Sequence, residues 1–97
     1  MFTWLNKQGV RSDKGFEFQF TGRFTAEYCE RGRVTGMYVE GGGRSITIYE
    51  GSLEPLWASL PDPLKRAERD RIISNIRDAL AFQDLNLDLV SGPEPRY

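Results

Sequence analysis

Residues 63–82, PLKRAERDRIISNIRDALAF, form the one stretch of this chain with a sustained helical period. Ile72, Ile73, Ile76, Ala79 and Leu80 stand at i, i+1, i+4, i+7 and i+8, which places them in one apolar stripe on a 3.6-residue helix. The acid–base mixture around Arg69, from Lys65 to Arg71, covers the rest. Asp62 stands where a side-chain cap is wanted, and Pro63 at the first helical position gives up no hydrogen bond. The exit lacks the usual glycine, so Gln83 and Asp84 must turn the chain.

The residues before the helix read as strands that need a cover. Phe16, Phe18 and Phe20 alternate with Glu17, Gln19 and Thr21. After a break at Gly22-Arg23, Phe24, Ala26 and Tyr28 fall on one side, and Thr25, Glu27 and Cys29 on the other. Glu30-Arg31-Gly32-Arg33 is a hairpin signal. In the return strand Met37 and Val39 alternate with Gly36 and Tyr38, and Gly36 marks a bulge or the close approach of an aromatic. The glycines at 41–43 precede another strand, residues 45–49, so they make a hairpin turn and not a phosphate loop. Residues 2–5 are a first strand or an aromatic anchor, and Gly9 with residues 12–15 reads as turns. Glu50-Gly51-Ser52 ends a strand. Residues 53–60, cut by Pro55, make a loop or short helical turn that docks Trp57 and Leu60. After the helix, residues 85–90 alternate again as a closing strand. The expectation is an α+β fold: a mostly antiparallel sheet of about five strands, one long C-terminal helix on one face, and a final strand after it. Residues 1–90 make a single domain, and residues 91–97, with two prolines and a glycine, a loose tail.

Ninety-seven residues suffice for one core, and 39% hydrophobic content is that of a globular chain. The net charge of −1 argues against nucleic acid as a partner. Lys65, Arg66, Arg69 and Arg71 are interleaved with acids and read as a solvated helix face. Phe16, Phe18, Phe20 and Phe24 read as core; a nucleic-acid stacking platform would need interleaved basic residues. No apolar run is long enough to span a membrane, and the N-terminus does not read as a signal peptide. The single cysteine, Cys29, forms no internal disulfide, which fits a cytoplasmic setting.

Histidine is absent, which removes the commonest general base and metal ligand. The glutamates at 27, 30, 40, 50 and 54 follow no metal-ligand spacing, so no cofactor, metal or catalytic residue is assigned. What stands out is a density of acids and tyrosines along the hairpins: Glu27, Tyr28, Glu30, Tyr38, Glu40 and Tyr49. Tyrosine offers a large contact area at low entropic cost, which suits protein recognition.

Four segments carry a resemblance: YCERGRVTGMYVE (residues 28–40), ITIYEGSLEPLW (46–57), ERDRIISNIRDALAF (68–82) and LNLDLV (85–90). Together they resemble the Imm74-type predicted immunity proteins of bacterial polymorphic toxin systems. One departure from that pattern is the missing glycine soon after Phe82. The resemblance implies an α+β fold and a non-catalytic role, neutralising a cognate toxin by binding and occluding it. Two other readings stand beside it. One is a small ligand-binding or carboxylate-dependent enzyme domain. The other is a homodimerising module in which the short strands of residues 34–49 pair edge to edge between copies.

Overall fold

A computed structural model describes residues 1–93. Seven strands lie in sequence order across one sheet: β1 (Phe2–Asn6), β2 (Gly9–Ser12), β3 (Phe16–Gly22), β4 (Thr25–Glu30), β5 (Arg33–Gly42), β6 (Ser45–Tyr49) and β7 (Asn86–Val90). Every neighbouring pair is antiparallel except β6 and β7, which are parallel. A parallel pair cannot be joined by a hairpin. The crossover here runs through α1 (Glu50–Leu53), a 3-10 turn (Glu54–Leu56) and α2 (Leu64–Phe82).

The α+β architecture is as expected, with two more strands than the alternation alone marked. Gly9 opens β2 instead of making a turn. Its backbone is pressed against β3 so closely that a Cβ there would lie 2.5 Å from the Gln19 Cβ. Val10 beside it is fully buried against the sheet's apolar side. The glycine that looked like punctuation is thus a close-approach site, which a single sequence cannot distinguish from a turn. Residues 50–52, expected to end a strand, instead form α1.

One face of the sheet is apolar. Phe16, Phe18, Ala26, Tyr28, Met37, Val39, Ile46 and Ile48 form one buried cluster with Leu53, Leu56 and Trp57 of the crossover and with Ile72, Ile73, Ile76, Ala79 and Leu80 of α2. The helical stripe therefore meets the phenylalanine face, as its period requires. Ile76, Ala79 and Leu80 have no exposed surface.

The helix ends differ in how they follow the sequence. Asp62 does not cap α2. Pro63 occupies the N-cap without a side-chain bond, and the peptide bond between Asp62 and Pro63 is cis. At the exit Asp84 takes the left-handed conformation (φ 63°) that glycine usually supplies. The Asp84 N–H donates to the Ala81 carbonyl (3.0 Å) and the Leu85 N–H to that of Leu80 (2.8 Å), which is a Schellman closure. Asp84 also pairs with Arg44 at 2.9 Å. The missing glycine is thus replaced at one position. The tail lies outside the description from residue 94 onward.

Candidate binding face

Strand parity divides the six candidate residues into two groups. Residues directly paired across neighbouring strands share a face, so Glu27 with Gly36, Thr25 with Tyr38, and Glu40 with Thr47 lie on the side opposite the buried cluster. All three helical segments contribute to that cluster, and among the described residues no element packs on the other face. Glu27, Tyr38, Glu40 and Tyr49 belong to this open face.

Tyr28 and Glu30 do not, and the expectation that they join a contact surface is corrected. Tyr28 is 1% exposed and stacks on Phe16 with ring centroids 5.6 Å apart. Two places along the strand, Glu30 points to the same side and meets α2. Phe24 moves in the opposite direction. It lies in the turn between β3 and β4, free of strand parity, and stacks on Tyr38 at 6.2 Å, 47% exposed.

Phe24, Tyr38 and Tyr49 thus form an aromatic row, the two tyrosine rings being 6.0 Å apart. Arg23 lies over the Phe24 ring at 5.3 Å. The Tyr49 hydroxyl donates to Glu40 Oε1 at 2.9 Å, and Gln19 Nε2 donates to Glu27 Oε1 at 3.3 Å. Beside the row is a depression of ≈ 530 Å³ lined by Thr21, Thr25, Glu27, Gly36 and Tyr38. Gly36 forms its floor. A Cβ there would meet nothing within 4 Å, and the register runs through it without a shift. Gly36 therefore marks neither a bulge nor a close aromatic approach; it is simply an absent side chain on an open face. By the same parity Glu17 and Asp88 lie on this face, and Arg11 donates to Glu17 at 2.7 Å. Carboxylates outnumber cations across it.

Cys29 shares this side. Burial and the Glu27 and Glu17 carboxylates push its thiol up from the ordinary value, so it stays protonated and a poor nucleophile at neutral pH.

On the covered side, an ion cluster pins β4 to α2. Arg71 donates from Nη1 and Nη2 to the two Glu30 oxygens at 2.8 and 2.9 Å. Its Nε and Nη2 also donate to Glu68 at 2.7 and 3.1 Å. Such forked bonds to ionised acceptors are the stronger kind. Arg71 holds both carboxylates below the usual range, so Glu30 and Glu68 remain ionised at neutral pH. The Tyr28 hydroxyl donates to Glu30 Oε1 (2.8 Å) and accepts from Asn75 Nδ2 (3.0 Å). Burial drives the Tyr28 phenol well above its ordinary value, and the Glu30 carboxylate pushes the same way. Its proton therefore stays in place to serve Glu30. Arg71, read as solvated charge, is the hub of this cluster, and Asn75 is buried at 7% exposure. An asparagine inside an apolar stripe was the available signal, because a buried amide needs a partner.

No group of three or more His, Cys, Asp or Glu residues suited to a metal occurs among the described residues. No helix among them is long and apolar enough to cross a membrane. No protein-family model matches the chain, and neither curated proteins nor solved structures yield a match.

Proposed function

We propose that the chain is a protein-binding module whose contact surface is the open face of the sheet, acting as an immunity protein that occludes a cognate toxin in the cytoplasm. The observation that carries the binding reading is the composition of the sheet face opposite the helix, on which no helix or strand packs among the described residues. It combines an aromatic row, Phe24–Tyr38–Tyr49, with Glu27, Glu40 and a depression floored by Gly36. Rigid aromatics flanked by fixed charge give contact area and register at low entropic cost, and carboxylates speed encounter with a cationic partner. The toxin assignment rests on the sequence resemblance alone.

The carboxylate-enzyme alternative has less support. Glu30 and Glu68 are the acids that converge, and Arg71 keeps both ionised, whereas a general acid needs its pKa raised toward the working pH.

The test is co-expression with a toxin-domain protein encoded beside this gene. The expected result is a co-purifying complex and loss of toxicity, with both effects abolished by Glu27→Lys combined with Tyr38→Ala. If no complex forms and toxicity is undiminished, the immunity reading fails. If a complex forms that ignores those substitutions, the open face is the wrong surface.

A further inference from the structure

Residues 34–49 cannot pair edge to edge between copies, as first expected, because β5 and β6 lie inside the sheet. What they offer a partner is side chains on the open face. The strands of that face carry four carboxylates, Glu17, Glu27, Glu40 and Asp88, and one cation, Arg11. Arg11 is taken by Glu17 at 2.7 Å. Glu40 accepts the Tyr49 hydroxyl and Asp88 that of Thr47. Glu27 accepts one bond, on Oε1, from the Gln19 amide at 3.3 Å. Among the described residues it pairs with no cation.

The surroundings of Glu27 are asymmetric. On β3 its cross-strand neighbour is Gln19, which fills its side. On β5 its neighbour is Gly36, which leaves a hole. That hole is the depression of ≈ 530 Å³, and Tyr38, Thr21 and Thr25 form the rest of its wall. The two threonine hydroxyls bond each other at 2.9 Å, so their oxygens retain a lone pair to offer. The depression therefore presents acceptors and an aromatic wall, with the Glu27 carboxylate at its side. A filler without donors would strip water from that carboxylate and return nothing, and an acidic one would be repelled. The same aromatic row already seats one guanidinium, that of Arg23 over Phe24 at 5.3 Å.

We infer that the partner's anchor on this face is an arginine side chain, seated in the depression with its guanidinium forked onto Glu27 and its plane along Tyr38. The inference rests on the open face being the partner-binding surface. A planar guanidinium gives two parallel N–H bonds to the carboxylate, keeps a further donor for a threonine oxygen, and packs flat beside a ring. A lysine ammonium is a hydrated point charge and uses only the carboxylate.

Titrating the full chain with the blocked tripeptide acetyl-Gly-Arg-Gly-amide, followed by NMR of the backbone amides, tests this without any toxin. The expected result is saturable shifts centred on Glu27, Gly36 and Tyr38, with a Kd of about 1–10 mM. The same tripeptide with lysine, or with neutral citrulline, in place of arginine should bind at least about threefold more weakly. Glu27→Gln should weaken the arginine peptide by a similar factor at unchanged melting temperature, and Gly36→Val, which fills the depression from β5, should do the same. Absence of saturable shifts at these amides, equal binding of the three peptides, or indifference to both substitutions overturns the inference. The two readings fail separately. Arginine-selective binding in a chain that protects against no toxin keeps the anchor and removes the immunity role. A toxin complex that depends on the open face, in a chain that binds none of the arginine peptide, keeps the surface and overturns the anchor.

Discussion

Tyr28→Phe removes one oxygen from the core without leaving a cavity, so its cost isolates the polar network. Asn75 Nδ2 loses its acceptor while remaining buried, a penalty of about 1–3 kcal/mol. Glu30 loses one of its donors, but Arg71 still holds both of its oxygens, so this second loss adds only about 0.5–1 kcal/mol. The expected total is about 2 kcal/mol. For a domain of this size that lowers the melting temperature by about 8–16 °C. Urea denaturation followed by circular dichroism measures it, and a cycle with Asn75→Leu apportions it. In the Asn75→Leu background the orphaned amide no longer exists, so Tyr28→Phe should cost only its Glu30 bond, with a coupling of about 1 kcal/mol or more between the sites. If Tyr28→Phe costs less than about 0.5 kcal/mol, or the two changes simply add, the hydroxyl is not the joint between β4 and α2 argued above.

Three further outcomes are expected. Ile76→Asp places a carboxylate where no surface is exposed and should unfold the domain at room temperature; a cooperative melt near that of the parent would show that the core is misplaced. Acid should destabilise the chain through Glu30 and Glu68, whose folded pKa values lie below their unfolded ones. Their contribution is present above about pH 4.3 and lost as pH falls through the depressed values, so urea midpoints should drop below about pH 4 and Glu30→Gln should flatten that drop. Gly36→Val meets open space in a regular strand and should leave stability unchanged or raise it by up to about 1 kcal/mol, while filling the depression and weakening partner binding; destabilisation beyond about 1 kcal/mol would mean the glycine is needed by the fold.

The sequence already carried the pairing of α2 with the phenylalanine strands, because period 3.6 and period 2 each name one face. The same alternation put Met37 and Val39 inward and Tyr38 outward, as found. It failed where parity is interrupted. Phe24 sits in a turn, and so left the face that Ala26 and Tyr28 share. Gly9 looked like a chain reversal because close backbone approach has no local signature. Tyr28 and Glu30 were grouped with the surface acids and tyrosines by composition, although Tyr28 already shared a parity with Ala26. Arg71 and Asn75 were not legible as partners of β4, since their contacts span 41 and 47 residues. Long-range polar pairing leaves no periodic trace, unlike the apolar stripe.

The crossover between β6 and β7 also sets an order of events during synthesis. Strands β1 to β6 are complete by residue 49, and each antiparallel pair is closed by a short turn, so this meander can assemble as it leaves the ribosome. Its cover is encoded later, at Ile72, Ile73, Ile76, Ala79 and Leu80. Until that stretch emerges, Phe16, Phe18, Met37, Val39, Ile46 and Ile48 form a sticky sheet without a lid. A nascent chain from which residues 1–49 have emerged but residues 72–80 have not is therefore the form most in need of a chaperone.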